Sequence, residues 1–450
     1  MTDERVEARL PDRVAVIGFA RTGVAAARAL RARGVSVVAI DDRPSDEQAS
    51  IAAELGVAYV GAPNPGELSL ALGAAELVVV SPGVPPTHGV FGLVPESRIV
   101  AEIELAARLT TTPIVALTGT NGKTTVTTLI ATMLEATGRH APVVGNIGRA
   151  FIEGIDEDAD VYVCEVSSFQ LAATSTFRPA VAVWLNFAED HLDWHRDLEE
   201  YAAAKARIFA NQSASDTAVV NIDDPVVMAA TAGIASRVVT FGSAGDYRIE
   251  AGSIVGPDGP ICSLNRLARQ FPHDIENALA AIAACAAAGA DLARAIDALS
   301  AVGPLPHRVD LVASVSGIAF YDDSKATTPS AVIAALEGIE RSVLIAGGRN
   351  KGLRLSTLRE YADAHPGRVR AVVAIGEAGD EIATAFGGYA VERASTMQEA
   401  VVTAAGLADA GDAVLLSPGC ASFDWYRSYE ERGEDFVREV RAYAATVGAS

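Results

Sequence analysis

The sequence predicts an α/β protein in three domains, and three observations predict it. Short β-branched runs alternate with helical patterns along the chain, as in parallel sheets covered by helices. Glycine-containing loops fall repeatedly between the end of a strand and the start of a helix. At 450 residues the chain has length for about three domains of roughly 150 residues each. The expected order is an N-terminal Rossmann-like unit over 1–100, a central P-loop ATPase-like unit with a mostly parallel sheet over 101–303, and a C-terminal Rossmann-like unit over 304–450.

Apolar residues make up 50% of the chain and charged residues 21%, enough for compact cores. The net charge of −21 argues against nucleic acid, which requires a basic face. An acidic chain that handles an anion must gather its few cations locally, so single Lys and Arg residues become informative. The start, MTDERVEARLPDR, is charged and lacks the apolar core of a signal peptide. The most apolar stretch, Ala278–Ala290, is too short to span a bilayer. A cytoplasmic chain without membrane insertion is expected. Cys164, Cys262, Cys285 and Cys420 are scattered without C-x-x-C spacing, which fits reduced thiols used as core filler.

In the first domain, strands are expected at Val14–Gly18 and Val35–Asp41 around a helix at Thr22–Arg33. Between them, Gly18-Phe19-Ala20-Arg21-Thr22-Gly23 is a G-x-A-x-x-G variant of the dinucleotide fingerprint, with Asp41 at the distance of a ribose-contacting acid. Ala20 and the charged Arg21 weaken a standard NAD reading. The same topology holds other nucleotide diphosphates, with Arg21 or Arg43 against phosphate, or it is a tight turn without ligand. Leu77–Ser81 followed by Pro82-Gly83 reads as a later strand opening on the same crevice.

The central domain is organised around Ile114–Thr118, a β-branched run that ends in Gly119-Thr120-Asn121-Gly122-Lys123-Thr124-Thr125 before a helix at Lys123–Thr137. Strand, glycine loop and helix in this order make a phosphate cradle. The glycines admit backbone N–H groups to the phosphates and the helix start adds partial positive charge. Lys123 would lie along the β- and γ-phosphates of ATP, and the Thr124 hydroxyl would ligate Mg²⁺. Leu117 departs from the general G-x-x-x-x-G-K-[ST] pattern, so a plain glycine turn is the competing reading.

The strand Asp160–Val166 delivers Glu165, placed as a metal ligand or water-orienting acid. Ala180–Leu185 runs into the polar cluster Asn186–His195, where His191 is a candidate metal ligand or substrate orienter and His195 a helix cap. Lys205 stands among alanines on the helix Leu198–Phe209, and from the residues alone it reads as part of a solvated face. Thr217–Asn221 and Arg237–Phe241 read as strands, Tyr247–Gly259 as a hairpin, and His273–Leu279 as the polar start of an alanine-rich helix. Gly303-Pro304-Leu305-Pro306 is a stiff linker.

In the third domain, strands at Ile318–Asp322, Val343–Ala346, Val369–Ile375 and Val414–Ser417 alternate with helices at Ser330–Leu336, Leu358–Ala364 and Met397–Ala408. Three polar loops follow strand ends: Asp322–Thr327, Gly347–Gly352 and Ser417–Asp424. Open α/β sheets bind ligands at such ends.

Taken together, TGTNGKTT, GNIG, EVSSFQL, EDHLDWH with Lys205, HxxxNALAA, HR, DDSKATTP, GGRNKG and SPGCASFDWYRSYEERG resemble the Mur ligase family of ATP-dependent amide-forming enzymes, in order and over nearly the whole chain. The last motif and the GFARTG start resemble the branch that adds D-glutamate to UDP-N-acetylmuramoyl-L-alanine. The resemblance implies ATP and two Mg²⁺ ions, with Gly119–Thr125 around the phosphates. It implies Thr124 and Glu165 on one metal, His191 on the second, and Lys205 carbamylated by CO₂ as a metal-site ligand, against the solvated-face reading. It further implies Asn277 and Arg308 on the nucleotide, and Asp323 and Lys325 over ribose and γ-phosphate.

D-glutamate would be received by Thr327, Lys351, Ser422 and Phe423, beside Tyr429. The uridine diphosphate end would meet Thr22, Asp41, Arg43 and Gly83, with Asn146 and Ser167 also on the substrate. A monomer that closes on ATP is expected. Asp274, Asp322 and Thr328 depart from the family pattern, the first at the adenine contact. Two rival readings stand: a family member adding another amino acid, and a nucleotide-binding regulatory protein without amide chemistry.

Overall fold

The computed structural model describes residues 10–448, so the first nine residues of the charged start lie outside the described residues. The chain forms two compact units. The first spans residues up to Phe187, then Trp194–Arg266 and Asn277–Ser300. The second comprises Ala188–Asp193, Leu267–Glu276 and Ala301 onwards.

The first unit contains two parallel sheets. In one, the strands lie in the order Ala58–Gly61, Ser36–Asp41, Arg13–Ile17, Leu77–Val80, Ile99–Ala101. The order reverses between Arg13–Ile17 and Leu77–Val80, and a crevice opens there at the carboxyl ends. In the other, the order is Arg237–Phe241, Thr217–Asn221, Val181–Trp184, Ile114–Thr118, Tyr162–Glu165, Val143–Gly145. Ile114–Thr118 is buried at every residue because helices cover both faces, and it reads as a continuous apolar run for that reason. One apolar core runs through both sheets, from Val14 and Val79 to Tyr162 and Trp184. The expected hairpin at Tyr247–Gly259 is longer than read: Arg248–Glu250, Ser253–Gly256 and Gly259–Ser263 form a three-stranded antiparallel sheet.

Glu102 opens the helix Glu102–Arg108 and is only 1% exposed. Its Oε1 accepts from the Ile152 amide at 2.5 Å, while Oε2 is buried without a hydrogen-bond partner. Burial therefore raises this carboxyl from 4.5 to about 7. A raised folded value means the native state holds the extra proton between about pH 4.5 and 7, so stability falls as pH rises through that window. The loss is at most about 3 kcal/mol. Glu102→Gln is expected to flatten this slope. Urea unfolding at pH 5 and pH 8 checks it, and a slope equal to that of the wild type would contradict it.

The second unit holds a six-stranded sheet in the order Asp310–Val315, Ile318–Asp322, Ala413–Leu416, Ser342–Gly347, Val369–Ile375, Ala390–Arg393. All pairs are parallel except the first, a hairpin closed by Ser316 and Gly317 at positive φ. Its edge strand and the final helix Tyr429–Gly448 were not among the expected elements. Gly433 lies inside this last helix, and Phe436 and Val440 beyond it are fully buried and carry the helix on. Among the described residues no helix is long and apolar enough to cross a membrane.

Candidate active site

The loop Gly119–Gly122 leads from Ile114–Thr118 into the helix Lys123–Ala136, whose N-cap Gly122 is left-handed at φ +81°. A Cβ there would lie 2.6 Å from Asn277 Oδ1, so glycine is required both by conformation and by the approach of Asn277. The Thr120 and Asn121 amides donate to Asn186 Oδ1 at 3.0 and 2.9 Å, and Asn186 Nδ2 donates back to the Asn121 carbonyl at 3.2 Å. Lys123 Nζ turns onto its own loop, donating to the carbonyls of Gly119 and Thr120 at 2.9 and 3.0 Å. Thr124 and Thr125 are half-buried in the first helical turn.

Beside this loop, Leu117 pairs in register with Glu165, which is 1% exposed. Asn146 Nδ2 donates to Glu165 Oε1 at 2.8 Å, and Oε2 is buried without a hydrogen-bond partner. A desolvated carboxylate oxygen left unsatisfied in this way suits a hard cation. Gly145, at φ +101°, allows the approach, because a Cβ there would lie 2.4 Å from the Glu165 carbonyl.

Lys205 corrects the solvated-face reading. It is 1% exposed, and its Nζ donates to the Gly119 carbonyl at 2.8 Å and Thr118 Oγ1 at 3.4 Å, 4.7 Å from the Tyr201 ring centroid. Alanines at 202–204 hid this, since small neighbours look the same on a buried face as on a solvated one. His195 is likewise no cap: it is buried, with Nε2 2.9 Å from Ser168 Oγ, and Asp197 caps the following helix instead. His191 belongs to the second unit, at φ +57° beside Asp190, with Nε2 and Oδ2 3.3 Å apart. A non-glycine residue in that conformation stores strain of the sort found at functional positions.

A cavity of about 590 Å³ opens at the switch point of the first sheet. Thr22, Asp41, Arg43, Gly83 and Asn146 all line it, together with Arg21 and Gln170. Asp41 is held from within: Oδ2 accepts from the Phe19 amide at 2.6 Å and Oδ1 from the Arg43 amide at 2.8 Å. Arg21 donates to the Gly148 carbonyl. Ser167 is not on the wall; it caps the short helix Ser168–Ala172, which contributes Gln170.

In the second unit, Lys325 Nζ sits 3.6 Å from the Tyr429 ring centroid, and its amide donates to the His307 carbonyl at 3.1 Å. His307 Nδ1 and Asp322 Oδ2 are 2.6 Å apart. A Cβ on Gly433 would come within 2.1 Å of that His307 nitrogen, which is why the helix carries glycine there. Asp323 is buried, accepting from Ser417 Oγ at 2.7 Å. Burial raises its carboxyl to about 7, opposed by the Ser417 bond and the Arg308 charge. The loop of Lys351 is tied to that of Ser422 by mutual backbone bonds between Arg349 and Ala421 at 2.8 and 3.0 Å. Ser422 is buried, Thr327 and Lys351 are half-buried, and Phe423 is 55% exposed.

All three departures have structural work. Asp322 faces His307 and accepts from the Ser324 amide at 2.9 Å, Thr328 caps the helix Pro329–Glu337, and Asp274 pairs with Arg269 at 2.6 Å, which in turn donates to the carbonyls of Arg308 and Val309. The loop-organising role of Asn186 and the burial of Arg432 leave no mark in the sequence: Asn186 is one of a run of polar residues, and Arg432 stands in the last motif among other charged residues.

Fold and loops together define a three-domain P-loop α/β enzyme. Family models match over two segments: the Mur ligase middle domain at residues 117–285, and the Mur ligase glutamate ligase domain at residues 307–420. The UDP-N-acetylmuramoylalanine--D-glutamate ligase of Geobacter metallireducens is 42% identical over 448 residues, covering 95% of this chain and 97% of its own. That of Desulfosudis oleivorans is 43% identical over 452 residues, with coverages of 95% and 96%. Among solved structures, the MurF ligase of Thermotoga maritima in complex with ADP shares the fold at a TM-score of 0.60. It is 17% identical, with 91% of this chain and 96% of that one covered. The chain belongs to the Mur ligase family, whose members are ATP-dependent ligases that use Mg²⁺.

Proposed function

We propose that this enzyme joins D-glutamate to UDP-N-acetylmuramoyl-L-alanine with ATP, in the cytoplasmic synthesis of peptidoglycan precursors. The observation that carries it is the 42% identity, over 95% of the chain, to a ligase named for that reaction. The alanyl carboxylate attacks the γ-phosphorus of ATP in line, the bond to the β-phosphate oxygen breaks, and ADP leaves. The amine of D-glutamate then attacks the acyl carbon of the resulting acyl phosphate, loses a proton, and phosphate departs with one carboxylate oxygen.

Positioning and charge neutralisation account for most of the rate, because an anion must approach an anion. The Gly119–Thr125 loop and Lys123 cradle the phosphates, with Asn277 and Arg308 on the nucleotide and Asp323 and Lys325 on ribose and γ-phosphate. Thr124 and Glu165 would hold a Mg²⁺ ion, and His191 a second. Bound Mg²⁺ supplies Lewis-acid screening of the reacting oxygens. The orphaned Glu165 Oε2 supports this. Among the described residues no three His, Cys, Asp or Glu side chains cluster as a ready metal site. A carbamate on Lys205, buried beside the same loop, would add an oxygen ligand.

The uridine diphosphate end occupies the cavity lined by Thr22, Asp41, Arg43, Gly83 and Asn146, with Ser167 supporting Gln170 on its wall. Thr327, Lys351, Ser422, Phe423 and Tyr429 receive D-glutamate, Lys351 facing a carboxylate. Domain limits near residues 100 and 303 and a monomeric state complete the proposal.

The test is phosphate release from ATP with UDP-N-acetylmuramoyl-L-alanine and a panel of amino acids. D-glutamate alone is expected to support turnover. Activity confined to L-alanine or meso-diaminopimelate would overturn the specificity, and no ADP with any acceptor would overturn the enzyme assignment.

A further inference from the structure

Arg432 lies on the helix Tyr429–Gly448 and is 1% exposed, among the largest fully buried side chains. Its Nε donates to Ser324 Oγ at 3.0 Å, Nη2 to the Ser324 carbonyl at 2.8 Å, and Nη1 to the Cys420 carbonyl at 3.1 Å. Ser324 Oγ passes the link on, donating to the Tyr429 carbonyl at 2.8 Å. A Cβ built on Gly348 would stand 3.2 Å from Nη1, so the Gly347–Gly352 loop also abuts the guanidinium. Among the described residues no carboxylate lies within ion-pair distance of Arg432.

A buried cation held only by carbonyls and a hydroxyl costs several kcal/mol in desolvation, and an apolar side chain of similar volume would avoid that cost. What arginine adds is a rigid planar fork that bonds two backbones at once, which an ammonium on a flexible stem cannot do. Burial lowers its affinity for the proton, to about 10, yet leaves it charged at neutral pH. The three loops joined at this group are those of Lys325, Lys351 and Ser422.

We propose that Arg432 is a positioning residue of the amino-acid site: its buried fork fixes the loops of Lys325 and Ser422 in the register that a dicarboxylic amino acid requires, and its charge favours the incoming carboxylates. The proposal rests on reading these loops as the D-glutamate site.

Full-length Arg432→Met, Arg432→Lys and Ser324→Ala are compared with the wild type by phosphate release, varying D-glutamate and UDP-N-acetylmuramoyl-L-alanine in turn. In both Arg432 variants KM for D-glutamate is expected to rise about tenfold or more, while KM for the uridine nucleotide stays within about twofold. Lysine should not rescue. Ser324→Ala, which removes one acceptor and the link to Tyr429, should raise the same KM by a smaller factor. It carries the test if the Arg432 variants do not fold.

Folded variants with wild-type KM for D-glutamate, equal rises in both KM values, or full rescue by lysine would overturn the role of Arg432. A wild-type enzyme that releases no phosphate with D-glutamate would instead overturn the functional reading beneath it.

Discussion

Lys123→Ala is expected to lower the rate of phosphate release by about 10³-fold or more, with the fold intact. The proposal gives the Lys123 ammonium the charge on the transferring phosphoryl group, and alanine leaves that charge unscreened. The fold should survive because Val126 and Ile130 on the same helix stay packed in the core, and the bonds from Nζ to the Gly119 and Thr120 carbonyls lie within its own loop. Lys123→Arg should not restore activity, since a guanidinium spreads its charge over a planar fork where Lys123 supplies a compact point charge. Rates of γ-phosphate release together with circular dichroism check this. A folded Lys123→Ala variant within about tenfold of wild type would remove the phosphate-cradle role.

Lys205→Ala should cut turnover by about 10² to 10³-fold while leaving a cooperative fold. The side chain is buried beside the phosphate loop, with Nζ on the Gly119 carbonyl and close to the Tyr201 ring. Its removal opens a cavity and frees one carbonyl, changes of about 1–3 kcal/mol that lower the melting temperature by several degrees without unfolding the chain. A buried lysine that only packs and bonds the Gly119 carbonyl would cost stability on truncation but little turnover, so the size of the kinetic effect separates the two roles. Near-normal turnover in the variant would eliminate the carbamate proposal.

Much of this architecture is legible before any coordinates. Ile114–Thr118 and Val14–Ile17 announce themselves because strands buried on both faces are unbroken apolar runs, and glycine loops mark their carboxyl ends. Thr22, Asp41, Arg43, Gly83 and Asn146, which the family resemblance implies as substrate contacts, line one cavity because loops at a switch point converge. What stays hidden is burial that depends on distant partners. Lys205 on the Gly119 carbonyl, His195 on Ser168 and Arg432 on Ser324 are buried polar residues with hydrogen-bond partners 27 to 108 positions away. No local pattern records such contacts. The final helix was hidden differently, because Gly433 weakens a local helical signal while serving the His307–Asp322 pair.

The central step is direct attack by the substrate carboxylate on the terminal phosphorus of ATP. Labelling both oxygens of the alanyl carboxylate with ¹⁸O and analysing the released phosphate by mass spectrometry tests that step most directly. One labelled oxygen should appear in each phosphate formed, carried over when the acyl carbon–oxygen bond breaks. Phosphate free of label, formed in step with amide product, would contradict it.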